Sequence, residues 1–224
     1  MATLGLLAFC GTAFGLTVAL RSESDSRSTL GVPVHRMVIQ VDAGDVDVRA
    51  GLTGDVVVSR HDSWIFNRPT VHQTVDGDTL RIRETCSGLA SALRCRSDVR
   101  IDAPPEVDVT VRTKSGDVDL RGLSGRVRVE SDAGDIRAER VDTVTIHART
   151  DAGDIDLGLF GQPARTQADS DAGDIKVVVP FNSYRVDANS DSGKVQVRGI
   201  IRDDLAPRAI HAMTDAGDVT IRAR

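Results

Sequence analysis

The sequence predicts an all-β protein, a parallel β-solenoid or β-helix whose coils hold two strands in about 20 residues, preceded by one N-terminal apolar helix. Three observations carry this prediction. The tetrapeptide Asp-Ala-Gly-Asp recurs at a nearly constant spacing, apolar and polar residues alternate on both sides of it, and residues 1–20 contain no charged side chain. No later stretch shows a sustained helical period of apolar residues, so helix is expected only at the N-terminus.

The apolar segment, residues 1–20, is the first predicted element. A helix of this length is about 30 Å long and would nearly cross the hydrocarbon core of a bilayer. We therefore expect a membrane anchor or a secretory signal segment, and a buried globular helix is the remaining alternative. Residues 21–35 are rich in Ser and carry both signs of charge, which predicts a polar spacer.

Residues 36–112 repeat less cleanly and are predicted to form an irregular β cap over the end of a stacked core. Cys86 and Cys95 close a short loop there, which favours a structural disulfide that contributes about 2–3 kcal/mol by chain-entropy reasoning. Two free thiols are the alternative. A zinc site is not expected, because the sequence near these cysteines lacks the further ligands that zinc needs. A disulfide after an export-like segment predicts a main domain outside the cytoplasm.

Residues 113–224 are predicted to form the regular β-strand repeats. Asp-Ala-Gly-Asp occurs five times in the chain, and the variants Lys-Ser-Gly-Asp and Asp-Ser-Gly-Lys extend the series. Each glycine is expected to supply a positive φ in a tight turn, which other residues resist. These repeat-turn glycines are Gly44, Gly116, Gly134, Gly153, Gly173, Gly193 and Gly217.

A strand with alternating apolar residues follows each turn, and a second strand ending in Ser, Thr or Ala precedes most of them. Two strands and two turns in about 20 residues are typical of one coil of a parallel solenoid. An antiparallel meander is the alternative, because Asp and Gly also suit hairpin turns. The solenoid is favoured, because only alternate turns carry the tetrapeptide and a meander gives no reason for that.

The combination of an apolar segment, a polar spacer and tandem units of the form Ser/Asp-x-Gly-Asp-Val-x-Val resembles an adhesin-like bacterial family of β-strand-repeat proteins that is classed as a domain of unknown function. The stretch 98–118, which runs from Asp98-Val99 to Gly116-Asp117-Val118, is similar to the entry into that family's repeats. The resemblance spans roughly residues 36–224. It implies a β-strand-repeat domain on or near the bacterial envelope and provides no catalytic residue to carry over.

Stacked coils are expected to align the motif aspartates into two outward columns. One prediction is that turn amides and water satisfy the carboxylates while Arg49, Arg121, Arg137 and Lys176 interleave positive charge. The alternative is Ca²⁺ bound between coils, since repeated carboxylate oxygens suit this ion. The first column contains Asp45, Asp117, Asp135, Asp154, Asp174 and Asp218, and the second contains Asp132, Asp151, Asp171, Asp191 and Asp215.

Composition restricts the function classes. The chain has 28 Lys and Arg against 33 Asp and Glu, a net charge of −5, which excludes a strongly basic nucleic-acid binder. Aromatic residues make up only 3%, so few rings are available for stacking on sugars, bases or flavins. The acids are spread evenly with the repeat rather than concentrated at one place, which disfavours a carbohydrate-cleaving enzyme.

The sequence thus predicts a non-enzymatic, envelope-associated protein that acts as a structural, adhesin-like or binding module at the cell surface. No catalytic residue, cofactor or metal ligand is assigned. The expected contacts are the membrane through residues 1–20 and an envelope partner whose nature the sequence does not encode. Self-association through open solenoid ends is a further alternative.

Overall fold

A computed structural model describes residues 21–52, 54–87 and 95–224, and this part of the chain is built of strands and turns. Its strands, in chain order, are β1 (Ser22–Leu30), β2 (Arg36–Val41), β3 (Val46–Ala50), β4 (Val56–Trp64), β5 (Thr70–Asp76), β6 (Thr79–Thr85), β7 (Cys95–Ala103), β8 (Asp108–Thr113), β9 (Val118–Arg121), β10 (Val127–Ala133), β11 (Ile136–Val141), β12 (Thr145–Ala152), β13 (Ile155–Leu159), β14 (Arg165–Ala172), β15 (Ile175–Val179), β16 (Ser183–Ser192), β17 (Val195–Arg198), β18 (Ile201–Arg202), β19 (Ala209–Ala216) and β20 (Val219–Ala223).

The strands form two ten-stranded sheets. Sheet A has the order β1-β4-β7-β3-β9-β11-β13-β15-β20-β17, and sheet B has the order β18-β16-β19-β14-β12-β10-β8-β2-β6-β5. Both sheets are mixed, because the pairs β1–β4, β4–β7 and β5–β6 are antiparallel. The other pairs are parallel, and a solenoid-like stack of coils therefore makes up most of the described chain.

Equivalent repeat positions lie side by side in this stack. In sheet A, Val118 aligns with Ile136, and Ile136 with Ile155. In sheet B, Val127 aligns with Ile146 in the same way. The prediction of parallel stacking is confirmed for these coils, and the meander alternative is wrong there. The register holds because a shift of one residue would turn every apolar side chain away from the core.

Both sheets contribute to one apolar core made of aliphatic columns. Val118, Ile136 and Ile155 are at most 1% exposed, and the Ala residues at 148, 168 and 212 on the opposite sheet are fully buried. Small residues in sheet B therefore face larger ones in sheet A, and the narrow interior is filled mainly by aliphatic side chains, with Tyr184 as the buried ring among the described residues. This matches the composition, which is rich in Val, Ile and Ala and poor in aromatic residues.

The order of the coils differs from the chain order at the C-terminal end. The sequence predicts successive stacking, whereas the coil of β19 and β20 lies between the coil of β14 and β15 and the coil of β16 and β17. The chain first passes from Val179 to the outermost coil within four residues, and the segment 199–208 then brings it back inward. The last strand of the described chain is consequently an interior strand with partners on both sides.

The N-terminal part differs from the prediction in two ways. The coil of β2 and β3 lies inside the regular stack, between the coil of β6 and β7 and that of β8 and β9, so residues 36–112 are more than a cap. The predicted polar spacer, residues 21–35, is wrong over Ser22–Leu30, which pairs along its whole length with β4. Its Ser-rich, charged sequence fits an edge strand because one edge and much of its surface face water.

The predicted apolar helix, residues 1–20, lies outside the described residues. In the part of the chain that the structure describes, no helix is long and apolar enough to span a membrane.

The repeat-turn glycines mark the corner where the chain passes from sheet B to sheet A. Six of them have φ between +129° and +154°, as the turns predict, namely Gly44, Gly116, Gly134, Gly153, Gly173 and Gly217. Gly193, in the outermost coil, has no positive φ, so that expectation is wrong for it. A second constraint applies to all seven, because a Cβ atom there would overlap a backbone carbonyl of the adjacent coil.

Gly153→Ala is therefore expected to destabilise the protein by about 2 kcal/mol or more, since the new Cβ meets both an unfavourable φ and the carbonyl of Gly134. Chemical denaturation measures the free energy of unfolding. Gly158→Ala in the same coil is the control, because its Cβ would meet only ordinary contacts and its φ is not positive. Equal stability of the two variants would contradict the close approach of the coils at this corner.

Candidate functional site

The motif aspartates of the first column form a continuous hydrogen-bonded ladder. The backbone N–H of each aspartate donates to the Oδ1 atom of the equivalent aspartate in the preceding coil of the stack. The pairs are Asp117 to Asp45 at 3.0 Å, Asp135 to Asp117 at 2.9 Å, Asp154 to Asp135 at 2.9 Å, Asp174 to Asp154 at 2.8 Å and Asp218 to Asp174 at 2.8 Å. The prediction that turn amides satisfy these carboxylates is confirmed for this column.

The two ends of the ladder are different. At the first end, the N–H of Asp45 donates to Oδ1 of Asp98 at 2.9 Å, so a residue outside the tetrapeptide repeats begins the ladder. The sequence reasoning missed Asp98 in this role, although an alternating strand follows it as one follows Asp45. At the other end, the N–H of Lys194 donates to Asp218 at 2.8 Å, and the lysine side chain offers no acceptor for another coil.

Of the four cations that the sequence predicts beside the ladder, Arg137 alone pairs with a ladder aspartate, whereas Arg49, Arg121 and Lys176 pair with other acids on the same sheet. Arg137 contacts Asp135 at 2.7 Å, and Lys176 contacts Asp156 of the adjacent coil at 2.6 Å. The second column is more exposed, and Arg149 bridges two of its members, Asp151 and Asp171, at 3.3 Å each. Because one oxygen of each ladder aspartate already accepts an amide N–H, the geometry favours amide capping over Ca²⁺ coordination.

Asp154→Ala is expected to lower the free energy of unfolding by about 1 kcal/mol, since the N–H of Asp174 loses its acceptor. Asp154→Asn keeps an oxygen there and should lose less. Asp151→Ala is the control, because its carboxylate makes a surface ion pair, and it should change stability by less than about 0.5 kcal/mol. Thermal melting in millimolar Ca²⁺ and in chelator should give one midpoint, and a large Ca²⁺-dependent rise would contradict the amide-capping account.

The two cap cysteines lie together beside a buried carboxylate. Cys86 and Cys95 are joined by a disulfide, with 5.9 Å between their Cα atoms. Glu84 is 1% exposed, and its Oε2 accepts the N–H of Asp42 at 2.7 Å. Burial raises the pKa of Glu84. Among the described residues, Glu84 and these cysteines are the one group of three close potential metal ligands, and two of the three are bonded to each other.

A charged groove of about 750 Å³ lies on the outer face of sheet A at the N-terminal end. It crosses five adjacent strands, β1, β4, β7, β3 and β9, so residues far apart in sequence meet in it. Its lining includes Asp25, Arg27, Asp47, His61, Arg100 and Asp119. The sequence reasoning singled out none of these as site residues, because the antiparallel addition of β1 and β4 to the stack is what brings them together.

Asp47 is at the centre of the ion pairs of this groove. Its side chain is only 15% exposed, and it contacts the guanidinium groups of Arg49, Arg100 and Arg121. The distances to Arg100 and Arg121 are 3.3 and 3.6 Å. The arginines come from three neighbouring strands, so the network holds charged groups in fixed positions on a rigid sheet.

His61 and Asp25 join β4 to β1 at the rim of the groove. Their Nδ1 and Oδ1 atoms are 2.7 Å apart, and this hydrogen bond to Asp25 raises the pKa of His61 above its ordinary value. The contact therefore contributes to folding fully below the unfolded pKa of about 6.5 and is lost as the pH rises through the folded pKa.

Asp25→Asn is accordingly expected to lower the pKa of His61, because the ring loses its charged partner. An NMR titration of the His61 ring measures this pKa. Asp76→Asn, at the last residue of β5, is the control and should leave the titration unchanged. A His61 pKa that is the same with and without Asp25 would show that β1 does not pair with β4 in this register.

The ladder, the alternating strands and the corner glycines together are the features by which this chain can be compared with known proteins. The profile of the Toastrack DUF4097 family matches residues 91–222. The chain belongs to this family. The match covers more than half of the chain and includes most of the ladder. None of the curated proteins matches.

Three bacterial proteins with solved structures are similar to this chain. A candidate adhesin from Bacteroides fragilis is 11% identical, covers 91% of this chain and 98% of its own, and has a TM-score of 0.50. A candidate cell-adhesion protein from Clostridium sporogenes is 12% identical over 90% of this chain and 100% of its own, with a TM-score of 0.47. A candidate lipid-binding protein from Parabacteroides distasonis is 12% identical over 90% and 97%, with a TM-score of 0.34. At these identities the Bacteroides structure supports the fold alone.

Proposed function

We propose that this Toastrack protein is a non-enzymatic binding module of the cell envelope, and that its charged groove is the binding surface. The observation that carries the proposal is the ion-pair network around Asp47, which presents arginine and aspartate side chains on a rigid sheet. Such groups recognise polar, charge-bearing surfaces through hydrogen bonds with little reorganisation. The parallel solenoid supplies the rigid support.

The carboxylates of the groove support binding rather than acid–base catalysis. Asp45 accepts the N–H of Asp117 and contacts Arg96, and Asp98 accepts the N–H of Asp45 and contacts the same arginine. Groups tied to amides and guanidiniums in this way serve as structural acceptors. A glycosidase, in contrast, needs two carboxyl groups in different environments that flank its substrate.

An extracytoplasmic location is part of the proposal. The joined pair of Cys86 and Cys95 supports an oxidising compartment, and the apolar residues 1–20 support export or anchoring at the membrane. The adhesion names of the bacterial structures agree with a surface role. In this arrangement the Toastrack domain extends from the membrane and contacts the wall or another surface.

Arg100→Glu tests the proposal, because it reverses a charge that lines the groove and contacts Asp47. The full chain is sedimented with purified peptidoglycan sacculi, which contain no bilayer, so residues 1–20 cannot account for binding. Wild type should bind, and Arg100→Glu should bind at least about tenfold more weakly.

Arg165→Glu is the matched control, because Arg165 is exposed on the outer face of sheet B, away from the groove. It should bind as wild type does. Failure of wild type to bind sacculi, or an equal loss in both variants, would overturn the groove as a wall-binding surface.

A further inference from the structure

The apolar segment joins the folded domain almost directly. β1 begins at Ser22, so Arg21 alone separates residues 1–20 from the first strand of sheet A. A flexible spacer, as the sequence predicts there, would let the domain stand away from a bilayer. Ser22 is instead two residues, about 7 Å, from the end of the apolar segment. The surroundings of Ser22 therefore decide which groups of the domain meet a membrane surface.

An aromatic loop, residues 64–68, lies beside Ser22 and consists of the end of β4 and the turn toward β5. Trp64 is the partner of Ser22 in the pairing of β1 with β4. Trp64 is half-buried, and Phe66 is 65% exposed. The chain has only five Phe, one Trp and one Tyr. Two of these few rings thus lie next to the point where the apolar segment joins the domain.

Arg68 ties the aromatic loop to the first strand. Its guanidinium carbon lies 5.2 Å from the centroid of the Trp64 ring, and its Nη2 donates to Oγ of Ser24 at 3.0 Å. The side chain is 56% exposed, and its contact with Asp62 is long, at 4.0 Å. A guanidinium has five N–H donors. Arg68 therefore holds a cation beside the two rings and keeps donors for a further partner.

We propose that the aromatic loop docks on the lipid headgroups at the place where the chain enters the bilayer. Trp64 and Phe66 lie at the boundary between headgroups and acyl chains, which aromatic side chains favour. Arg68 donates to lipid phosphates, which match its N–H donors. The inference rests on the proposed membrane anchoring by residues 1–20 and does not depend on the groove. The apolar segment and the loop are two contacts, which together hold the domain in one orientation.

The acids near the aromatic loop do not oppose this contact. Glu23 on β1 is paired with Arg21 at 3.2 Å. Asp62 is 1% exposed and is paired with Arg60 at 2.8 Å. Both carboxylates are thus neutralised within the domain, so neither presents an unpaired negative charge to the lipid phosphates.

Trp64 makes the proposal directly measurable, because it is the one tryptophan of the chain and its fluorescence reports on the loop. The full chain is reconstituted in vesicles of phosphatidylcholine and phosphatidylglycerol, with a nitroxide quencher either on the headgroup or deep in the acyl chain. Wild-type fluorescence should fall at least about twofold with the headgroup quencher and less with the deep one, since the loop lies at the interface. Cosedimentation with the vesicles measures anchoring separately.

Phe66→Ser removes the exposed apolar contact of the loop. The variant should sediment with vesicles as wild type does, while its quenching from the headgroup should weaken at least about twofold. Phe181→Ser is the matched control, because Phe181 is 66% exposed and lies in the turn after β15, toward the opposite end of the stack. It should leave the quenching unchanged, and circular dichroism should show that both variants are folded.

The outcomes separate docking of the loop from anchoring of the chain. A wild type that sediments with vesicles but is not quenched from the headgroup would overturn the docking and leave the anchoring intact. Equal quenching in the two variants would also overturn the docking. A wild type that does not sediment would overturn both, whereas the binding of sacculi by the groove is measured without a bilayer.

Discussion

The stack depends on one contact, the hydrogen bond from the corner amide of one coil to the aspartate carboxylate of the preceding coil. At this corner the chain turns from sheet B to sheet A, and the aspartate N–H donates to a side chain instead of a backbone carbonyl. The carboxylate supplies the acceptor, as Asp154 does for Asp174 at 2.8 Å. The neighbouring glycine is required by the same contact, since a Cβ atom would push the coils apart.

The other columns of the repeat follow from this close approach. In four coils the carbonyl of a corner glycine accepts the hydroxyl of the last inward residue of the adjacent coil, as Gly153 accepts from Ser170 and Gly173 accepts from Thr214, both at 3.0 Å. The equivalent hydroxyls of Thr113 and Ser131 have no hydrogen-bond partner within the described residues. A small hydroxyl side chain is needed at that position, because a larger one would not fit beside the turn. The same restriction explains why the aliphatic columns stop short of the corner.

The regular repeats and the charged groove lie in largely different parts of the molecule. Within the repeats, the carboxylates of the first column accept the corner amides, so their even spacing serves the stacking of coils. The charged groove arises where the regularity ends, because β1 and β4 extend sheet A in antiparallel fashion and place Asp25 and His61 on the same surface as the side chains of β7 and β3. At the C-terminal end of the stack the ladder stops at Lys194, because the lysine side chain cannot accept an N–H from a further coil.

The sequence by itself determined the repeating unit. The period of the glycines and the alternation around them specified parallel coils, an aliphatic core and an aligned aspartate column, because these features depend on local geometry repeated along the chain. Tertiary structure alone decided the exchanged order of the coils at both ends, the pairing of Ser22–Leu30 with β4, and the place of Asp98 in the ladder. These depend on contacts between segments that are distant in the chain, and a local pattern carries no information about which neighbour a strand will meet.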